Sequence, residues 1–298
     1  MGLSVAAGVG RATPPGLGLR VALRTADLLA ARRESAAVRA IRGNQWVVSG
    51  SSCDEAGLDA AVRETMRNIA RYTYDFYHLG SDPDRLVSEV AVSDGVLQWI
   101  ERVREGEAVV FAAVHLSNFD LGGLALARRG LRAQVLSVPD PTDAYRAQND
   151  LRRRAGLDIT PISAQALKTA RRRLEGGGAV LTGIDRPVPG SSRAFAFFGR
   201  PAHLPDVHVR LAGRTSAPLV LLWAVMGPDG RYAVECDRIA LGPAGGVQTD
   251  RHNAEAVLAR AEREIALRPT QWAMPHPVWP DALRDLDELE RKVDASDG

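Results

Sequence analysis

The stretch Val110-Phe111-Ala112-Ala113-Val114-His115-Leu116-Ser117-Asn118-Phe119-Asp120-Leu121-Gly122-Gly123 ends an apolar run abruptly on a histidine. A carboxylate follows five residues later, where a helical pattern begins. Residues five apart lie on different faces of a continuous helix and on opposite sides of a continuous strand. His115 and Asp120 therefore meet only if the chain turns between them. A strand-to-helix turn does this at the carboxyl edge of a sheet, where open α/β folds place their ligands. A His–Asp pair there takes a proton from a hydroxyl, the carboxylate fixing the tautomer and stabilising the imidazolium. Ser117-x-x-Asp120 also reads as a capping box, with His115 an ordinary turn residue. The stretch alone leaves both readings open.

Outward from it, strand and helix alternate. Strands are expected at Ala108–Val114, Ala133–Val138, Asp158–Ile162 and Ala179–Ile184, with helices at Leu121–Arg129, Thr142–Ala155 and Ser163–Glu175. Such alternation argues parallel pairing through right-handed crossovers. Ala217–Val225 and Tyr232–Ile239 flank Gly227-Pro228-Asp229-Gly230-Arg231 and read as an antiparallel hairpin. Asp250–Leu267 reads as a closing helix. Upstream, residues 17–41 read as one helix, 55–79 as a second rich in aromatics, and 84–105 as one or two more. The expectation is an α/β fold: a mixed, mostly parallel central sheet flanked by helices, with an N-terminal helical segment. One domain spans residues 1–280, helical over 1–105 and α/β over 106–280, followed by an acidic tail at 281–298.

At 45% hydrophobic and 25% charged, the chain has the composition of a globular protein able to bury a large core. The net charge of +2 is unevenly spread: residues 281–298 hold seven acids against three bases, −4, which leaves +6 for residues 1–280. Lysine occurs only at Lys168 and Lys292, so the positive charge is nearly all arginine, the better bidentate partner for phosphate and carboxylate. Cys53 and Cys236 make no disulfide framework and read as buried small apolar residues in a reducing compartment. No apolar run approaches the roughly 20 residues that span a bilayer. Arg11, Pro14, Pro15 and Gly18 interrupt any signal-peptide core. Within residues 17–41, Leu17, Val21, Leu28 and Leu29 lie on one side, with Arg20, Arg24, Arg32 and Arg33 elsewhere. That pattern suits either an anionic membrane surface or packing on the protein's own core.

A Gly-x-Ser-x-Gly elbow, a Walker A loop, a Gly-x-Gly-x-x-Gly turn and metal-ligand spacing are all missing. No metal or cofactor is expected. Without a nucleophile motif, His115 acts best as a base on a substrate hydroxyl. A second strand, Leu181-Thr182-Gly183-Ile184, ends on Asp185-Arg186-Pro187, and Phe195, Phe197 and Phe198 follow before Gly199. Asp185 and Arg186 share the edge with His115 if the two strands are neighbours; otherwise they form a local turn or salt bridge.

Four landmarks fall in order: His115-x-x-x-x-Asp120, Asp185-Arg186, Phe197-Phe198-Gly199 and Gln271-Trp272-Ala273-Met274-Pro275-His276-Pro277-Val278-Trp279. Together, over roughly residues 40–280, they resemble the lysophospholipid acyltransferase superfamily, in the branch of the late acyltransferases of lipid A synthesis. The C-terminal pattern most resembles the actinobacterial phosphatidylinositol mannoside acyltransferases. The resemblance implies a peripheral enzyme on the cytoplasmic face of the cell membrane. Its donor would be an acyl thioester, with acyl-CoA or acyl-carrier protein as co-substrate, and its acceptor a lipid or glycolipid hydroxyl. It also implies His115 as general base, Asp120 as its partner, and Asp185 at an acidic active-site position. Where that family usually has Gly-Pro-Ala, this chain has Asp206-Val207-His208, which adds charge and bulk beside the expected site and leaves the acceptor open.

The expected step is direct acyl transfer without a covalent intermediate. The backbone N–H groups of Asn118 and Phe119 at the helix start are candidates for the oxyanion. Arg154, Arg186 and Arg193 are candidates for donor phosphates or the acceptor headgroup, and Phe198 for the acyl chain. A thioesterase or lipid hydrolase using the same pair on water is the alternative, with a non-catalytic lipid-binding protein behind it. Nucleic acid is not an expected partner, because the arginine clusters at 152–154 and 171–173 lie on helices without stacking aromatics.

Overall fold

The computed structural model describes residues 15–139, 142–188, 193–243 and 246–296. The N-terminal part consists of α1 (Pro15–Ala30), α2 (Ala36–Val48), α3 (Glu55–Leu79), α4 (Pro83–Glu89), β1 (Val90–Val92) and α5 (Asp94–Arg104). Next come β2 (Val109–Ala113), α6 (Phe119–Arg128), β3 (Ala133–Ser137), α7 (Asp143–Ala155), β4 (Asp158–Pro161), α8 (Ala164–Glu175) and β5 (Ala179–Gly183). The chain closes with β6 (Phe195–Phe197), β7 (Arg200–Ala202), α9 (Val207–Thr215), β8 (Leu219–Met226), β9 (Tyr232–Ile239), α10 (Val247–Leu267) and α11 (Pro280–Ser296).

The strands form one seven-stranded sheet ordered β1-β9-β8-β2-β5-β3-β4, with β6 and β7 paired apart from it. Among the described residues, only β8 and β9 run antiparallel within the sheet, as their short loop requires. β2 sits in the middle, parallel to β5 and β8. Its near-continuous apolar sequence follows from burial on both faces. Val110, Ala112 and Val114 enter the core on one face, and Val109 and Phe111 the core on the other.

The expected single helix over 17–41 is two. Ser35 caps α2 by accepting a hydrogen bond from the Val38 N–H, and so resets the helix at that point. β1, the β6–β7 hairpin and α9 were not anticipated, the first two being only three residues long. The Phe-Phe-Gly motif makes that hairpin: Phe198 (φ +49°) and Gly199 (φ +70°) are both left-handed, as a two-residue type I′ turn demands. Both cysteines are half-buried rather than fully buried. The tail begins as a helix, α11, packed on α2.

Between α10 and α11 lies an irregular strap, residues 268–279, whose Trp272 bridges Leu116 just past β2 and bonds Asp185 just past β5. A buried strap must satisfy its backbone polar groups without a ladder. The side-chain amides of the N-terminal helices do this. Asn44 donates to the carbonyls of Met274 (2.9 Å) and His276 (2.8 Å) and accepts from the Val278 N–H. Gln45 donates to Pro269 and Asn68 to Thr270. Gln271 bonds both backbone groups of Met226 on β8.

Candidate active site

Residues 114–118 make the turn between β2 and α6 that the His-x4-Asp spacing requires. Ser117 takes a left-handed conformation (φ +51°), and Asn118, not Ser117, caps the helix by accepting from the Leu121 N–H (3.2 Å). The capping box at Ser117 is therefore not formed. The Asn118 side chain also donates to the Tyr72 carbonyl, which ties the turn to α3.

The histidine's carboxylate is Asp185. His115 Nδ1 lies 2.6 Å from Asp185 Oδ1, and the His115 backbone N–H donates to Oδ2 at 2.9 Å. The indole N–H of Trp272 donates to the same Oδ2 at 2.7 Å. Asp185 is fully buried, and its place comes from the sheet, because β5 pairs with β2 and both chains leave it at Ala113 and Gly183. A carboxylate only accepts, so Nδ1 carries the proton and Nε2 is left with its lone pair. The ring lies over Gly183: a Cβ there would meet His115 Cε1 at 2.8 Å, closer than real contacts allow. Phe119 packs edge-on against the imidazole, ring centroids 4.5 Å apart.

Asp120 does not bond His115. It pairs instead with Arg152 of α7 at 2.5 Å, and the expected His115–Asp120 hydrogen bond is absent. Arg152 also donates to Asn149 and stands over the Tyr145 ring, its guanidinium carbon 4.9 Å from the centroid. Burial opposes the Arg152 charge, and the attraction of Asp120 and Tyr145 outweighs it, so the guanidinium pKa is raised. Asp185 rather than Asp120 is the acid beside the imidazole because the geometry of each element favours it. Asp120 projects from the first turn of α6 toward α7, whereas Asp185 arrives beside the imidazole along a neighbouring strand.

A cavity of about 990 Å³ opens at this edge, the upper end of what ligand pockets occupy. Its floor is apolar, with Leu126, Val135, Leu157, Leu181, Leu222 and Val234, most of them from the core between the sheet and α6 and α7. His115, Asp120, Arg186, His203 and His276 line it as well. Burial pushes His276 down to about 4, helped by Arg186 and His115, so this ring is neutral at physiological pH.

The remaining candidates separate on this frame. Phe119 and Arg186 line the cavity. Asn118 is buried behind the turn and does not line it, although its N–H still belongs to the unpaired first turn of α6. Arg154 is exposed on α7 and lines no part of the cavity. Arg193 pairs with Asp206 at 2.5 Å, and Phe198 packs on Phe197 and Trp279, so neither lines it. Of Asp206-Val207-His208, only Val207 lines the cavity; His208 is fully buried below it. Gly183 and Trp272 carry no site signal in the sequence: Trp272 belongs to the C-terminal tryptophan motif, but nothing in the sequence joins it to Asp185.

Among the described residues, no helix is long and apolar enough to cross a membrane. A family model described as bacterial lipid A biosynthesis acyltransferase matches residues 7–280. No curated protein matches the chain at a significant level.

Proposed function

The chain belongs to the bacterial lipid A biosynthesis acyltransferase family, and from that premise we propose direct transfer of a fatty acyl group from a thioester, acyl-CoA or acyl-carrier protein, to a lipid or glycolipid hydroxyl. The observation that carries this reading is the Asp185–His115 pair, with His115 lining a largely apolar cavity. Nε2 of His115 removes the proton of the acceptor hydroxyl as its oxygen attacks the thioester carbonyl. Asp185 holds the ring and stabilises the imidazolium that forms. The thiolate leaves and takes up the proton from His115. The N–H of Phe119, which lines the cavity, is the donor for the oxyanion, since the first turn of a helix leaves N–H groups free. The acyl chain lies along the apolar floor, and Arg186 faces an anionic group of donor or acceptor.

The working surface is a membrane. On α1, Leu17 (53% exposed), Val21 (48%) and Leu28 (70%) point outward beside exposed Arg20 and Arg24. A basic helix with unburied apolar side chains suits an anionic lipid interface. The Trp272–Trp279 pattern supports a likeness to the phosphatidylinositol mannoside acyltransferase branch, while Asp206-Val207-His208 leaves the acceptor lipid open.

The test is thiol release from palmitoyl-CoA by wild type and His115→Ala, with and without a mixed polar lipid extract. Lipid-stimulated release with a new acylated lipid, lowered at least ~10²-fold by the mutation, is expected. Equal release without lipid establishes a hydrolase. A near-normal rate in folded His115→Ala refutes the mechanism.

A further inference from the structure

We propose that Trp272 is a positioning residue for the proton transfer, its indole N–H locking the Asp185 carboxylate so that a single oxygen faces the His115 ring. The inference rests on His115 being the base. Asp185 has two oxygens with unequal partners. Among the described residues Oδ1 meets only the imidazole, whereas Oδ2 accepts from the His115 backbone N–H and from Trp272. Turning the carboxylate out of its plane breaks both bonds at Oδ2, whereas a half-turn only exchanges two equivalent oxygens and restores the same contacts. Buried N–H groups do not stay unpaired without cost, so the carboxylate is held in one orientation and the ring with it.

Trp272 is itself fixed to the turn it serves. Its backbone bridges Leu116, and on either side Ala273 N–H donates to the His115 carbonyl (3.0 Å) and Ser117 N–H to the Gln271 carbonyl (2.7 Å). The strap and the histidine turn are thus one hydrogen-bonded unit closed by the indole. Packing does not explain that bond. Trp279 sits in the same aromatic cluster, 6.0 Å from Trp272 and stacked on Phe197, yet its buried N–H has no partner among the described residues. One indole of the cluster only packs; the other also donates to the buried acid.

This neighbour supplies the control. Trp272→Phe and Trp279→Phe both lose indole packing, but only the first loses the bond to Asp185. Trp272→Phe is expected to lower kcat by about 10- to 100-fold, the cost typical of losing an outer partner of a working histidine, with KM little changed. It also moves the acid limb of the kcat/KM profile to higher pH, because a carboxylate with one donor fewer favours the imidazolium more strongly. The other groups around the ring, His276, Arg186 and the Asp120–Arg152 pair, are the same in both variants. Trp279→Phe is expected to lose stability and keep the wild-type profile. Should Trp272→Phe not fold, the indole ¹H–¹⁵N spectrum of the wild type decides. The Trp272 signal should follow the titration of His115 and stop doing so in His115→Ala. Equal kinetic effects in the two Phe variants, or an indole signal indifferent to His115, overturn the proposal. Turnover by His115→Ala overturns the base assignment instead, and leaves the indole signal as a separate result.

Discussion

Replacing each acid by its amide distinguishes which one serves the histidine. Asp185 faces three N–H donors: His115 Nδ1, the His115 backbone and Trp272. Asparagine offers one oxygen and one NH₂. With its oxygen toward the backbone and Trp272, its NH₂ meets Nδ1, which must then accept. The imidazole is forced into the tautomer that protonates Nε2, and it no longer takes the hydroxyl proton. With its oxygen toward Nδ1, the NH₂ opposes two buried donors, each costing roughly 1–3 kcal/mol. The first arrangement is the cheaper, so Asp185→Asn is expected to fold and to lose about 10⁴-fold in kcat, as in a triad with the wrong tautomer. That corresponds to about 5 kcal/mol of barrier. Asp120→Asn leaves the tautomer alone and weakens the contact with buried Arg152. Its expected cost is stability, about 3 kcal/mol, the low end for a broken buried pair, with kcat within about tenfold of wild type. Thiol release from palmitoyl-CoA in the presence of lipid, with thermal unfolding of each variant, measures both. A folded Asp185→Asn enzyme that turns over faster than Asp120→Asn would refute the assignment.

Other consequences follow from the same geometry. Gly183→Ala puts a methyl 2.8 Å from His115 Cε1 on a strand that cannot retreat; a displaced ring should cut kcat by about 10²-fold with binding retained, checked by comparing kcat and KM. His208 is fully buried, its two ring nitrogens have no partner among the described residues, and burial pushes it down to about 4. Its folded pKa is below the unfolded value of about 6.5, so its contribution is full above that pH and is lost as pH falls toward 4, by up to roughly 3 kcal/mol. His276 adds in the same direction. Urea midpoints across this range should fall on acidification and fall less in His208→Leu. On α1, Leu17→Ser with Leu28→Ser should weaken sedimentation with anionic vesicles without changing melting temperature, since both side chains are exposed. Unchanged sedimentation removes α1 from the membrane contact.

Much of the fold was legible because periodicity is local. The α3 helix, the βα alternation through β5 and the β8–β9 hairpin all write their pattern into consecutive residues, with Thr142 and Ser163 marking helix starts. The three-residue strands β1, β6 and β7 have no room for a pattern. The strap has none to show. It is held by Asn44, Gln45 and Asn68, which in sequence look like ordinary polar positions on helices.

The site divides along the same line. A turn between strand and helix was readable at His115, and so was a polar strand end at Asp185. Which acid faces the ring was not, because spacing favours the near one and topology supplies the far one. Asp120 is five residues away on a helix that carries it toward α7; Asp185 is 70 residues away but one strand over. In a parallel sheet neighbouring strands lie about 4.8 Å apart, so residues leaving them at the same level are within reach of each other. The pairing of Ala113 with Gly183 sets that level, and it depends on register rather than on any local signal. The same register puts a glycine beneath the imidazole, where any side chain would displace it. Base, orienting acid and bare floor are therefore one consequence of pairing β2 with β5, and a shift of that register by a single residue would dismantle all three.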